Sequence, residues 1–289
     1  MNILLCPNNY YTMPAMALLA SIFKHNNCNL NFYVIHSDLS EKNIKKIEKF
    51  VLKNGAAIKF YKIKTNDLGD LPVSNHITVE AYYRLLAFEL LPKDLDRVFY
   101  LDSDIIVHGS LEAFYNTSFT MDNGKEAMFI ACEGPGVSQR DFSVYDSLNI
   151  PHDKLYCNSG VMMMNLNAMR KELTKNSFWE FIAEHHNVLK YHDQDTINAM
   201  FYDRIKYLDW HIWNQTILHI KDRNEAIYRL QNSIILHYAG VDKPWKVNYK
   251  SWWLREFWNH MKIVDKVGFY KFAVKRIIWQ TFHKNELPR

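Results

Sequence analysis

The chain has 289 residues, 48% of them hydrophobic and 23% charged, with a net charge of only +4. This is a globular composition without a disordered or low-complexity tract, and its length suits one α/β domain with an extension. The charge is uneven: residues 250–289 hold nine Lys/Arg against three Asp/Glu, which leaves residues 1–249 at −2. A near-neutral body with a basic tail excludes a nucleic-acid binder that uses its whole surface.

In chain order, Ile3–Cys6 reads as a strand, Met13–Phe23 as a buried helix and Asn31–His36 as a second strand. Ser40 opens an amphipathic helix with Ile44, Ile47, Phe50 and Val51 on one face, and Ala57–Ile63 is a third strand. This βαβαβ order predicts a mostly parallel sheet with helices on both faces, and such sheets bind ligands at the carboxyl ends of their strands. A helix follows at Val79–Leu90 and a strand at Arg97–Leu101. Residues 127–131 and 160–164 are further strands, Leu166–His186 and Gln194–Phe201 helices, and Ser233–His237 a late strand. Past Val241 the pattern turns Trp-rich and basic. The expected division is a catalytic domain over 1–245 and a basic, aromatic tail or small helical subdomain over 246–289.

Cys6, Cys28, Cys132 and Cys157 form no CxxC pair and no Cys/His metal spacing, so they read as reduced thiols. Asn2–Cys6 has no basic flank, and no apolar run approaches the ~18 residues that span a bilayer. The expectation is a cytoplasmic protein. Peripheral contact with an anionic membrane stays open through the tail, where five of the eight Trp (245, 252, 253, 258, 279) alternate with Lys and Arg. A helical cap packed on the domain explains the same residues.

Neither GxGxxG after the first strand nor GxxxxGK[ST] occurs, so any nucleotide phosphates must be met by a metal and side chains. Three Asp-x-Asp triplets do occur. Asp94-Leu95-Asp96 follows Pro92 and reads as a solvated turn. Asp193-Gln194-Asp195 stands where a helix begins, where acids favour the positive end of the helix dipole, a role suited to Asp195. Asp102-Ser103-Asp104 is different: it lies between Val-Phe-Tyr-Leu and Ile-Ile-Val, and two acids there are costly to bury unless a positive charge compensates. Residues i and i+2 at a strand end share one side and make a hard-oxygen site for Mn²⁺ or Mg²⁺. A solvated strand-end turn remains the alternative. His237 ends a second apolar run, where a lone histidine is more often a hydrogen-bonded core residue than a ligand; Gly240 and Lys243 stand close behind, a histidine nitrogen beside two carboxylates favours Mn²⁺, and a lysine suits phosphate.

With these residues in view, Leu101-Asp102-Ser103-Asp104 and His237-Tyr-x-Gly240-x-x-Lys243-Pro244-Trp245 resemble the two signatures of glycosyltransferase family 8. That family includes bacterial lipopolysaccharide galactosyl- and glucosyltransferases, the general stress protein A group and glycogenin. The resemblance runs from residue 3 to about residue 258. It implies a GT-A fold, a UDP-sugar donor, Mn²⁺ and retention of anomeric configuration, with a cell-surface glycan or glycolipid as acceptor. On this chain it implies Asp102, Asp104 and His237 as metal ligands, and Lys243 with the Gly240 backbone on the diphosphate. Cys6, Asn8 and Tyr11 would hold the uridine. Asn158, Asp193 and Gln194 would surround the donor sugar, Arg84 would reach the sugar or the diphosphate, and Asp102, Ser103 and Ser159 would also meet the substrate, with Arg84, Asp193 and Gln194 as the catalytic candidates. The family often has an acid where this chain has Asn8, and a smaller residue where it has Ser159. Each residue also has a structural explanation: Arg84 pairing with Glu80 or Asp96, Asn158 shaping the turn before Gly160, Tyr11 in the core. A metal-dependent phosphohydrolase or nucleotidyltransferase, and a non-catalytic glycan-binding protein of this fold, are the competing functions.

Overall fold

The first 62 residues fold as their periodicity implies, into β1 (Asn2–Leu5), α1 (Thr12–His25), β2 (Asn31–His36), α2 (Glu41–Lys53) and β3 (Ala57–Lys62). The structure is a computed structural model that describes residues 1–64, 79–134, 142–174, 176–216, 220, 222–251 and 253–283. The three strands are parallel, with β1 beside β2 and β2 beside β3. At the start of α2 the Ser40 hydroxyl accepts from the Asn43 amide, and Ile47 and Val51 face inward.

The segment read as one helix over Val79–Leu90 is instead a 3-10 helix, Val79–Leu86, running into a single α turn, α3 (Ala87–Leu90). Tyr82 to Phe88 are all buried, between β2 on one side and a later helix on the other, and the narrower 3-10 coil suits that confinement. Then come β4 (Arg97–Leu101), β5 (Ile105–Val107), α4 (Glu112–Tyr115), β6 (Phe129–Glu133), α5 (Phe142–Ser147) and the long strand β7 (Cys157–Asn165). The helix expected over Leu166–His186 is two, α6 (Leu166–Glu172) and α7 (Ser177–His185). Arg170 explains the break. Its guanidinium donates to the carbonyls of Phe88, Leu91, Pro92, Lys93 and Leu95, which ties α6 to the loop after α3, and Leu173 turns extended. The remaining elements are α8 (Asp193–Phe201), β8 (Ile205–Leu208), α9 (Trp210–Trp213), β9 (Gln215–Thr216), α10 (Arg223–Asn232), β10 (Ile235–His237), α11 (Leu254–Val264) and α12 (Lys266–Phe282).

Seven strands form the main sheet in the order β3-β2-β1-β4-β7-β6-β8, in which β7 runs antiparallel to both β4 and β6. It is the mixed, mostly parallel sheet expected. Alternate residues feed opposite cores: Leu4, Tyr33, Val98, Tyr100 and Met162 on one face, Ile3, Phe32, Phe99, Leu101 and Met163 on the other. A small second sheet, β5-β10-β9, pairs β5 antiparallel and β9 parallel with β10. A third apolar cluster locks α11 onto α1 and the small sheet through Ala17, Ile106, Leu236, Tyr238, Trp253 and Phe257. No described helix is long and apolar enough to cross a membrane, and all four cysteines are free.

Candidate active site

Asp102, Ser103 and Asp104 make the passage from the main sheet into the small one. Both ends are clamped by backbone. The Asp102 amide donates to the Gly160 carbonyl at 2.8 Å, which extends the β4–β7 ladder, and the Tyr238 amide donates to the Asp104 carbonyl at 2.9 Å, which extends β5–β10. His237, the last residue of β10, pairs in register with Ile105. The two sheets therefore bring Asp102, Asp104 and His237 together, with one ligand atom of each lying within 4.8 Å of the others.

Each carboxylate has one oxygen held and one presented. Asp102 Oδ1 accepts from the Tyr100 hydroxyl at 2.5 Å and lies 3.0 Å from Arg84 Nη2, while its Oδ2 is 3.7 Å from His237 Nε2. Asp104 Oδ2 pairs with the Lys243 ammonium, and its Oδ1 is 3.5 Å from His237 Nε2. Burial alone would push the Asp104 carboxyl up, but Lys243 and His237 override it and hold the group far below the ordinary carboxylate range. Lys243 is itself buried and also donates to the Tyr238 carbonyl at 2.8 Å.

Arg84 is a buried hub beside this corner. Beyond Asp102 it reaches Asp193 Oδ2 with Nε at 3.3 Å, donates to the Ser159 carbonyl at 2.6 Å, and lies over the Tyr100 ring. Burial works against its charge, yet Asp102 and Asp193 raise its affinity for the proton above the ordinary value. Asp193 opens α8 just after His192, whose φ of +51° turns the chain sharply. Burial is the main influence on Asp193; Asp102 adds to it and Arg84 opposes it, and the carboxyl is raised to about 6. Arg84 Nε stands near Asp193 Oδ2 without the alignment of a hydrogen bond. Asp195 holds the turn that leads into α8. Its Oδ2 accepts from the Lys190 and Tyr191 amides at 2.6 and 2.7 Å, and its Oδ1 takes the Tyr156 hydroxyl.

Amides line the floor. Asn158 Nδ2 donates to Gln194 Oε1 at 3.0 Å, and the Ser159 amide donates to the same oxygen at 3.2 Å. Gly160 is where three of these groups converge, and a β-carbon there would lie 2.4 Å from His237 Cε1 and 2.6 Å from Asp102 Oδ2.

Against known proteins, the family model described as glycosyl transferase family 8 matches residues 2–248. The chain belongs to glycosyltransferase family 8. It is 30% identical over 251 residues to a lipopolysaccharide 1,2-glucosyltransferase of Escherichia coli, covering 83% of this chain and 72% of that one. It is 27% identical over 274 residues to general stress protein A of Bacillus subtilis (strain 168), covering 90% of this chain and 93% of that protein. Among solved structures, galactosyltransferase LgtC in complex with donor and acceptor sugar analogs overlays with a TM-score of 0.79 at 22% identity, covering 92% of this chain and 96% of that one. That overlay shows the GT-A fold.

In this family 8 chain, Arg84 pairs with neither Glu80 nor Asp96; it joins Asp102, Asp193 and Ser159 in one cluster with Ser103, Asn158 and Gln194 alongside. Gly240 has φ +87° in the exposed turn between His237 and Lys243. The first loop is spent partly on itself. Asn8 Oδ1 accepts from the Tyr11 amide at 2.9 Å as the chain enters α1, and Tyr11 packs edge-on against Trp245. Cys6 is half-buried, and burial pushes its thiol well up, so it offers no thiolate. Sequence reasoning missed Gly160, Tyr100 and Asn214. A glycine inside an apolar strand was the one available signal for the first.

The donor set fits a hard to borderline divalent cation. Asp102 Oδ2, Asp104 Oδ1 and His237 Nε2 are the atoms left over after Arg84, Tyr100 and Lys243 have taken the other carboxylate oxygens and Asn214 the other imidazole nitrogen.

Proposed function

We propose that this glycosyltransferase moves a hexose, glucose or galactose, from a UDP-sugar to a cell-surface glycan or glycolipid, with retention of anomeric configuration. Asp102, Asp104 and His237 would hold Mn²⁺, with Mg²⁺ as the second choice. The observation that carries the reading is the convergence of two carboxylate oxygens and one imidazole nitrogen beside a buried lysine and a buried arginine. Lys243 and the Gly240 backbone suit the diphosphate, Cys6, Asn8 and Tyr11 the uridine, and Arg84, Ser103, Asn158, Ser159, Asp193 and Gln194 the sugar. A bound divalent ion neutralises charge on the departing diphosphate.

The protein side favours same-face substitution: the acceptor oxygen bonds to the anomeric carbon on the face that UDP leaves, and its proton passes to a diphosphate oxygen. A covalent route needs a free carboxylate, whereas Gln194 is an amide and Asp193 is buried beside Arg84. Incubation with Mn²⁺ and a panel of UDP-sugars is expected to release UDP, and EDTA to stop it. Full activity in EDTA, or phosphate in place of UDP, would overturn the reading. Gln194→Ala should slow transfer without abolishing it, and NMR of the product should show an α-linkage from a UDP-α-sugar; a β-linked product would remove retention.

We also place the enzyme on the inner face of the cell membrane, with 1–245 as the catalytic unit and 246–289 as the segment that docks. Three of the five tryptophans are taken up by packing, and Trp279 is half-buried against His283. Trp253 and Trp258 are buried, Trp245 packs on Tyr10 and Tyr11, and Trp252 lies outside the described residues. Trp245, Trp253 and Trp258 are held there because α11 closes the third apolar cluster. The better surface is the outer side of α12. Phe269 and Phe272 face Trp258, while Val267, Tyr270, Val274, Ile277 and Ile278 recur at helical spacing and are all at least half exposed. Lys266, Lys271 and Lys275 are exposed along the same helix, the pattern of a helix lying in an anionic lipid interface. Flotation of the full chain with phosphatidylglycerol vesicles, but not with phosphatidylcholine alone, is expected, with loss in Val274→Glu/Ile277→Glu. Equal flotation of that variant, or self-association through this face in size-exclusion chromatography, would count against it.

A further inference from the structure

Asn214 is fully buried at the end of α9, and both ends of its amide are engaged. Its Nδ2 lies 2.9 Å from Asn158 Oδ1 and its Oδ1 2.8 Å from His237 Nδ1. Amide orientation and histidine tautomer are ordinarily matters of assignment. Here two backbone groups decide them. The Gly160 amide, which can only donate, lies 3.1 Å from Asn158 Oδ1, and the Ser159 amide, likewise a donor, lies 3.2 Å from Gln194 Oε1. The Asn158 atom near Gly160 must therefore be oxygen, so the Asn214 atom facing it must be nitrogen. The other end of Asn214 is then oxygen, and it accepts from His237. His237 consequently carries a proton on Nδ1, which leaves Nε2, the nitrogen facing Asp102 Oδ2 and Asp104 Oδ1, as the one a cation can take. In the other direction Asn158 donates to Gln194 Oε1. One polarised chain, His237–Asn214–Asn158–Gln194, runs from the cation corner to the sugar corner.

We propose that Asn214 is a positioning residue with two separable roles. It keeps the His237 proton on Nδ1, so that Nε2 is the nitrogen left for a divalent cation, and through Asn158 it adds to the hold that the Ser159 amide already has on the Gln194 oxygen. This rests on reading the site as one for a metal and a nucleotide sugar. Asn214→Asp separates the two roles, because a carboxylate still accepts from His237 Nδ1 but cannot donate to Asn158. Asn158 must then turn its nitrogen toward the new carboxylate, which removes its donation to Gln194 and its acceptance from Gly160. Asn214→Leu removes both roles.

Three measurements test this. In ¹⁵N-labelled wild-type protein the His237 shifts should show Nδ1 protonated. Mn²⁺ affinity by electron paramagnetic resonance, without donor, should be kept within about threefold in Asn214→Asp and fall roughly 10–100-fold in Asn214→Leu, the usual effect of losing a partner behind a metal ligand. Turnover of Asn214→Asp should nevertheless fall at least about tenfold, with the donor KM changed less. The opposite tautomer, or equal loss of Mn²⁺ affinity in both variants with melting curves like wild type, overturns the proposal. Wild-type protein that binds no Mn²⁺ overturns the metal reading instead, and the tautomer measurement then decides the role of Asn214 by itself.

Discussion

Gly160→Ala puts one methyl group where the site has no room. The added carbon would stand 2.4 Å from His237 Cε1, 2.6 Å from Asp102 Oδ2 and 3.0 Å from Asn158 Oδ1. Carbon atoms in ordinary contact stay about 3.5–4.0 Å apart, so the imidazole has to retreat by about 1 Å. None of the three neighbours is a loose end. His237 is buried and held through Nδ1 by Asn214, and Asp102 is pinned by Tyr100, Arg84 and its own backbone bond to the Gly160 carbonyl. The displacement therefore lands on the ligand atoms. Overpacking of this kind costs about 1–3 kcal/mol, a fall of roughly 2–6 °C in Tm for a chain of this size. A misplacement near 1 Å at reacting groups lowers turnover by about 10²-fold. Thermal unfolding by circular dichroism, Mn²⁺ titration and UDP release check the three parts. A folded Gly160→Ala protein with wild-type Mn²⁺ affinity and turnover would refute the geometry on which the site is built.

The raised carboxyl of Asp193, about 6 in the fold against an ordinary 3.8, means the native state keeps a proton that the unfolded chain has lost. Its contribution to stability is present below the ordinary value and is lost as pH rises through 6, by roughly 3 kcal/mol. Asp193→Asn should remove that slope and unfold no earlier than wild type at pH 7.5; parallel pH–stability curves for the two would sink the argument. His108 behaves in the reverse sense. Burial first, then His260, His25 and Lys24, lower it to about 4, so stability is intact above its ordinary 6.5 and drains as pH falls toward 4. His108→Phe should flatten the acid limb in urea titrations, and hydrogen exchange in wild type should quicken first in α11, which carries His260; uniform exchange across the chain would disprove this.

The elements most legible in the sequence were those whose partners are local or periodic. The βαβαβ opening was readable because alternation and 3.6-residue spacing record which side of an element is buried, and both faces of this sheet are covered. Asp102 and Asp104 were readable because two acids between apolar strands are expensive placements that imply a compensating partner, whereas His237 joined them through the resemblance of its His-Tyr-x-Gly-x-x-Lys-Pro-Trp run to the family signature. The 3-10 geometry of Val79–Leu86 and the break after α6 were not readable, because confinement by β2 and α8 and the five carbonyls gathered by Arg170 come from distant parts of the chain. β8 and β9 are too short to show a period.

The same line divides the tail and the site. Sequence alone showed that the last forty residues are basic and aromatic; folding decided that Trp253 and Trp258 go to the core while the outer face of α12 stays open. Sequence alone named the acids and the histidine. Only the tertiary structure set Gly160 against His237, Tyr100 against Asp102 and Asn214 between His237 and Asn158. A glycine, a tyrosine and an asparagine have no pattern of their own. Their roles exist once two sheets meet at a three-residue passage and leave room for one hydrogen atom and one amide.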